Sequence, residues 1–396
     1  MTASRRRILL VEMNEDDTTG GSHQAQFDLV RHLDRSRFEP VVAFYQDNRF
    51  LALHRQEGVE VHLLEEMRTR ELDIRINGGL LTRATDILVG AVSRRARFLK
   101  EHRIDLLHLN NSPGTGSDDW LPAARIARIP CVASARGNPP MGLSPVHARL
   151  ARQFDRILFV SDHVVRGYRA DGYPDRIVTM VPDGVDLEAL REGVTCSREE
   201  MQARLEIPPG RLVATMVGNV REWKGQHVVL EALGRLRPEV RDRIFLLVAG
   251  DGNSPDLPYF QSLLDLQEKH GLKTMVRFLG PRRDVPDLLT ASDMAIHASV
   301  LPEPFGLVVV EAMGLGVPVI AARLGAPTDV VAEGSGLLFD PTSPGELGAA
   351  LARLVEEDAT REMLAAGALA RAEDFSIRRT MQALESVYGE LLTVAG

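Results

Sequence analysis

Ser299-Val-Leu-Pro-Glu303-Pro-Phe-Gly306-Leu-Val-Val-Val-Glu311-Ala-Met-Gly-Leu-Gly316-Val-Pro-Val-Ile320 places two carboxylates eight positions apart between two apolar runs. Met294-Ala-Ile-His-Ala-Ser299 before it and Val317-Pro-Val-Ile-Ala-Ala322 after it read as buried strands, so Gly306 to Leu315 is the crossover helix between parallel strands. Glu303 then lies on the strand-to-helix loop and Glu311 about a turn and a half into the helix, where the two acids can flank one ligand. Gly306 leaves room for close approach, and the backbone N–H groups of Phe305 to Val308 form an anion site of the kind that holds a diphosphate. Spacing alone decides nothing, because two acids so placed are ordinarily a loop carboxylate and a solvated helix residue.

Outward from this stretch, short apolar strands alternate with helical segments along the whole chain. The earlier series is Ile8 to Met13, Pro40 to Tyr45, Val59 to Leu64, Ile104 to Leu109, Pro130 to Ala135, Arg156 to Val160 and Ile177 to Val181. The later series is Leu212 to Gly218, Ile244 to Gly250, Val276 to Gly280, Met294 to Ala298, Val317 to Ala322 and Gly336 to Phe339. Such alternation predicts two doubly wound parallel α/β sheets. The polar run Arg191 to Pro209 has the composition of a connection, so one domain is expected over residues 1–190 and a second over 210–375. Residues 376–396 repeat apolar positions at helical spacing and form a closing helix that would pack back on the first domain.

Ligands of open α/β sheets gather at the carboxyl ends of the strands. There the first strand runs into Gly20-Gly21-Ser22, with Ser22 as expected N-cap of a helix from His23 to Leu33. Later strands end in Gly218-Asn-Val-Arg-Glu-Trp-Lys224-Gly225, in Gly250-Asp-Gly252 and in Gly280-Pro-Arg-Arg283, an edge rich in glycine and base.

Composition excludes several classes. The first 190 residues hold 26 Lys and Arg against 26 Asp and Glu and the rest 21 against 29, so the whole net charge of −8 belongs to the second half. That balance argues against a nucleic-acid partner, which needs a surplus of base on one face. Cys131 and Cys196 offer neither a disulfide framework nor metal-ligand spacing and are read as structural. With no run of eighteen apolar residues and no signal-peptide pattern after Met-Thr-Ala-Ser-Arg-Arg-Arg, the expected location is the cytoplasm. Leu80 to Lys100 combines an apolar stripe with Arg83, Arg94, Arg95, Arg97 and Lys100; it reads first as a sheet-covering helix with a solvated basic flank, and second as a peripheral contact for an anionic inner membrane face.

The chain resembles the retaining glycosyltransferases of family 4, which have the GT-B fold of two facing Rossmann-like domains, over almost its whole length. The resemblance is carried by Ser299 to Glu311 with its sequel, similar to that family's E-x7-E signature, and by Gly20-Gly21, Ile104 to His108, Val160-Ser161, Pro182 to Asp186, Lys224-Gly225, Gly250-Asp-Gly252 and Gly280. It implies transfer of a sugar from a nucleoside-diphosphate donor of UDP or GDP type to a glycan, lipid-linked or small-molecule hydroxyl, without a further cofactor. By the same resemblance Glu303 faces the donor sugar, Glu311 bonds the ribose hydroxyls and Lys224 binds the diphosphate. Backbone groups of Pro304, Phe305, Gly306 and Leu307 hold sugar and diphosphate, Gly218 and Gly252 line the same edge, and the Gly20-Gly21 loop reaches the phosphates.

Three positions depart from the pattern. Asn219 stands where the family usually has Arg, and Arg221, two residues on and on the same side of an extended chain, is expected to replace that charge. Arg136 stands near the place of a family His and cannot act as a base. Thr328 replaces a frequent Glu and carries no assigned role. Loss of a diphosphate needs charge stabilisation more than a strong base, and Lys224, Arg221 and a helix N-terminus supply it, so metal independence is expected. Alternative readings are another GT-B activity, an epimerase or phosphorylase, or a nucleotide-sugar-binding scaffold that has lost catalysis.

Overall fold

The computed structural model describes residues 5–13, 21–67, 80–111, 120–138, 152–252 and 258–394. The chain separates into two compact units, Met1–Gly184 with Ile377–Gly396, and Val185–Ser376.

The first unit holds a seven-stranded sheet of β1 (Arg6–Glu12), β2 (Phe38–Phe44), β3 (Glu60–Leu63), β4 (Leu106–Asn110), β5 (Cys131–Ala135), β6 (Arg156–Phe159) and β7 (Val178–Met180), in the order β3-β2-β1-β4-β5-β6-β7. The second holds β8 (Leu212–Val217), β9 (Ile244–Ala249), β10 (Val276–Gly280), β11 (Met294–His297), β12 (Val319–Ala322) and β13 (Gly336–Phe339), in the order β10-β9-β8-β11-β12-β13. Every pair is parallel. Helices cover both faces of such sheets, which is why Ile8 to Val11 and Ile244 to Ala249 are apolar throughout and buried throughout. The expected doubly wound α/β architecture is therefore present twice. In each sheet the strand order reverses once, between β1 and β4 and between β8 and β11, and the crevice at such a reversal is where open α/β sheets take ligands.

Three local expectations are corrected. Residues 191–209 are not a bare connection: Leu187–Glu192 and Arg198–Arg204 are helices of the second unit. The polar residues that suggested a linker are used as caps and anchors. Ser197 and Glu200 close a capping box, and the Asp287 carboxylate accepts from the Thr195 N–H at 2.6 Å, its hydroxyl at 2.8 Å and the Cys196 N–H at 3.1 Å. Ser22 is no N-cap, because the helix Gly21–His32 has already begun at Gly21; Gly20 lies outside the described residues. Arg95 does not belong to a solvated flank. It is buried, with its guanidinium over the Trp120 ring at 5.3 Å and a 2.6 Å hydrogen bond to the Met67 carbonyl, while Arg94, Arg97 and Lys100 stay exposed. Among the described residues no helix is long and apolar enough to cross a membrane.

The chain's last helix, Ile377–Val394, lies in the core of the first unit. Ile377, Met381, Leu384, Val387 and Tyr388 recur at helical spacing and join Ile8, Leu29, Val42 and Leu106 in one cluster. Tyr388 also places its hydroxyl 2.5 Å from His108 Nδ1, and His108 Nε2 lies 2.7 Å from the Ser134 hydroxyl. Burial, with the Arg136 charge adding to it, pushes the His108 imidazole down to about 3, and burial with the Arg35 charge pushes His54 down to about 4.

Both histidines are held neutral in the fold yet take up a proton near 6.5 when unfolded. The unfolded chain thus binds more protons below that pH, so the contribution of these two histidines to the first unit's stability is complete above about pH 6.5 and is lost progressively as pH falls through about 4 for His54 and about 3 for His108. Urea unfolding at a series of pH values checks this, and His54→Gln should flatten the slope.

Candidate active site

The second unit's site is built where its strand order reverses. After β8 the chain turns through Arg221 and a single 3-10 turn, Glu222–Lys224, to Gly225 at φ 76°. A side chain on Gly225 would place its Cβ 1.9 Å from the Ala298 carbonyl oxygen, so only glycine lets this turn lie on the end of β11. The Trp223 carbonyl accepts from the Val300 N–H at 2.8 Å, tying the turn to the loop after β11. Lys224, whose ammonium sits 4.3 Å from the Trp223 ring centre, thereby reaches Glu303 Oε1 at 2.6 Å.

Glu303 is buried, with 7% of its surface exposed. Its backbone is fixed by a bridge to Gly325 and by the Ala326 N–H on its carbonyl at 2.9 Å. His297 Nε2 lies 2.9 Å from the same Oε1, and the Ser299 hydroxyl donates to it as well. Burial alone would raise this carboxyl, but His297 and Lys224 outweigh it and hold Glu303 well below the usual carboxylate range. It is a fixed anion at neutral pH.

Three residues beyond Glu303, Gly306 caps the helix Leu307–Gly314 at φ 92°. A Cβ there would meet Pro327 and Val309 only at 3.6 Å, so what the protein itself requires of glycine here is the left-handed backbone. Phe305 is buried at this corner, and the first peptide N–H groups of the helix lack acceptors four residues back. Glu311 is half-buried one turn beyond Leu307 and on its face. Because Cα–Cβ bonds tilt toward a helix N-terminus, its side chain leans back to that end. A Cβ on Gly218 would lie 3.7 Å from the Lys224 Cδ and Cε, so this glycine lies beside the lysine stem. Arg221 is exposed and extended; its Nη1 donates to the Val220 carbonyl at 3.3 Å and lies 2.8 Å from where Gly252 would carry a Cβ.

At the reversal of the first sheet, Asn110 at the end of β4 donates to Glu12 at the end of β1 at 2.5 Å and to the Ser22 carbonyl at 3.1 Å. Arg136, just past β5, donates through Nε to Asn110 Oδ1 at 2.7 Å and through Nη1 to Asp183. Glu12, Asn110 and Asp183 are all buried. Burial lowers Arg136 to about 10, with Glu12 opposing the shift, so the guanidinium remains charged inside the unit. The structure thus gives Arg136 buried carboxylate and amide partners, which its type alone did not show. Gly21 opens the helix above this network.

His297, Ser299, Glu12, Asn110 and Asp183 were missed by sequence reasoning. His297 and Ser299 did leave a signal: two polar residues two apart in an apolar strand, and therefore on one side of it, lead directly to Glu303.

The family description "Glycosyltransferase Family 4" matches residues 19–189, and "Glycosyl transferases group 1" matches 197–371. The D-inositol 3-phosphate glycosyltransferase of Saccharomonospora viridis is 35% identical over 324 residues, 76% of this chain and 73% of that relative. The chain belongs to glycosyltransferase family 4. It is a retaining glycosyltransferase of GT-B fold that moves a sugar from a nucleoside-diphosphate donor to a hydroxyl acceptor. The like-named protein of Streptomyces bingchenggensis is 29% identical over 301 residues, 70% of this chain and 65% of its own. Among solved structures, Anabaena Alr3699/HepE in complex with UDP superposes with a TM-score of 0.80 at 24% identity over 97% of this chain and 100% of that one. A glycosyltransferase from Rickettsia africae does so with 0.81 at 17% identity, covering 98% and 99%.

Replacing Lys224 in this glycosyltransferase by Met keeps the length of the side chain and removes one of the charges that compensate buried Glu303. Lost charge-assisted bonding of this kind costs about 1.5–3 kcal/mol, so Lys224→Met should lower the second unit's urea midpoint. An unchanged midpoint would show that the pair contributes nothing to the fold.

Proposed function

We propose that the donor is a UDP-sugar bound at the carboxyl edge of β8 and β11, and that its transfer needs no metal. The observation that carries this reading is the pair of half-buried Lys224 and buried Glu303, 2.6 Å apart, directly before a helix that starts on a left-handed glycine. Among the described residues, Lys224, Ser299 and His297 meet the Glu303 carboxylate at Oε1, and we assign Oε2 to hydroxyls of the donor sugar. Lys224 has two further protons for the diphosphate, which also meets the N–H groups of Phe305, Gly306 and Leu307 beyond Pro304. Glu311, leaning toward the same helix end, takes the ribose hydroxyls. Arg221 supplies the second cation, standing in for the family's Arg at Asn219, with Gly252 beside it. The UDP-bound neighbour supports the choice of base, and the inositol-phosphate relatives favour a small polyhydroxylated acceptor over a lipid-linked one.

In the reaction the bond between the anomeric carbon and the diphosphate oxygen breaks, and the acceptor oxygen bonds that carbon on the same face. The acceptor's proton passes to the departing diphosphate oxygen, so no general base is required. Lys224, Arg221 and the helix N-terminus stabilise the charge that grows on the leaving group, a stabilisation largest in the transition state. Glu303, held ionised, faces the positive charge that develops on the sugar, and no covalent intermediate is assigned to it.

Thermal-shift titration with UDP, GDP and their sugars tests the base: UDP compounds should stabilise the protein and GDP compounds should not. Turnover should be unchanged by EDTA, and a loss that added Mg2+ restores would reject metal independence. Glu311→Ala should weaken donor binding, and Lys224→Ala should reduce turnover about ten- to a hundredfold. Arg221→Ala should weaken donor affinity at fixed salt to a similar degree, whereas an unchanged value removes Arg221 from the site.

A further inference from the structure

We propose that Glu60, His62 and His102 form a binding site for a divalent transition-metal cation of the zinc type, separate from the transferase site. Glu60 and His62 stand two apart on β3 and so project from one face of it, and His102 follows directly on the helix Leu80–Glu101. Their ligand atoms lie within 4.8 Å of one another. His62 Nε2 is 2.7 Å and His102 Nδ1 is 3.2 Å from the same Glu60 Oε1. Donors around a tetrahedral zinc ion stand roughly 3.3 Å apart, as bonds of about 2.0–2.1 Å require. The His102–Glu60 spacing already meets this, a small opening of the His62 contact brings the second to it, and the two imidazole donors lie within 4.8 Å of each other.

The surroundings favour preorganisation. Arg7 donates to the other Glu60 oxygen at 2.7 Å and, through Nε, to the His102 carbonyl at 2.9 Å, so one side chain fixes the carboxylate and the backbone of the second histidine. The Arg7 charge opposes a cation, but it is shared with Glu39, which it also contacts. Phe98 packs against both imidazoles, with ring centres 5.1 and 4.2 Å away, and limits their rotation. Side-chain exposures of 23% for His62, 30% for His102 and 40% for Glu60 leave a fourth position to water. Two imidazoles and one carboxylate select zinc and its neighbours over magnesium or calcium, which prefer oxygen throughout.

Glu60 begins β3 and His102 precedes β4, so the cluster lies at the amino end of the sheet, opposite the end where Glu12 and Asn110 meet. β3 is a four-residue edge strand. A metal there would clamp that short edge to the end of the longest described helix, a structural and not a catalytic role.

The test is calorimetric titration of the EDTA-stripped full chain with zinc chloride, alongside Co2+ absorption. One saturable site is expected, its affinity falling about tenfold or more in His62→Ala and in His102→Ala, and the wild-type Co2+ complex should show the intense visible bands of tetrahedral coordination. Sugar transfer should be the same in both variants. Equal zinc affinity in the variants and wild type, or a Co2+ spectrum no different from that of the hydrated ion, would overturn the proposal.

Discussion

An ionised carboxylate taken out of water needs charge and hydrogen bonds from its surroundings, and Glu303 imposes that need on the second unit's carboxyl edge. Lys224 can answer it only because Gly225 lets its turn lie against Ala298 and because Val300 binds Trp223. His297 and Ser299 answer it because the end of β11 points both toward the loop that carries Glu303. The corner at Gly306 then starts a helix within three residues of that anion. Lys224 neutralises Glu303, and under the proposed donor binding its remaining protons would meet a second anion. On that reading the interaction that stabilises this edge would also prepare it for the donor.

The first unit solves a similar problem with the charges exchanged. Arg136 is the buried ion, and Asp183 and Asn110 compensate it, with Glu12 one step further along the network. A guanidinium so held stays charged and is a poor candidate for proton transfer. The network also joins the ends of β1, β4 and β5, so the part of the unit that must stay in register is fixed by polar contacts as well as by the apolar core.

Much of the fold was legible because central parallel strands covered on both faces are apolar throughout, as Ile8–Val11 and Ile244–Ala249 are, and thirteen short runs, the less apolar edge strands among them, follow one another along the chain. The glycine-ended strands and the Glu303–Glu311 spacing were legible for a related reason: a loop, a left-handed corner and a helix start are made by neighbouring residues. The polar run 191–209 misled because capping and solvation use the same residue types, and Asp287, about ninety positions on, decides between them. Arg95 misled likewise, since its place in a helical charge pattern says nothing of Trp120 beneath it.

The sequence by itself therefore determined the alternation of strands and helices, the two sheets, the corner at Gly306 and the family to which these features point, all set by interactions within about a dozen residues along the chain. Tertiary structure alone decided the strand order with its two reversals and the partners of every buried charge, while Ile377–Val394 lies in the first unit as expected from its helical spacing. Lys224 meets Glu303 across 79 positions, Arg136 meets Asp183 across 47 and His102 meets Glu60 across 42. Such pairings depend on how whole elements cross in space, and no local period in the sequence records that.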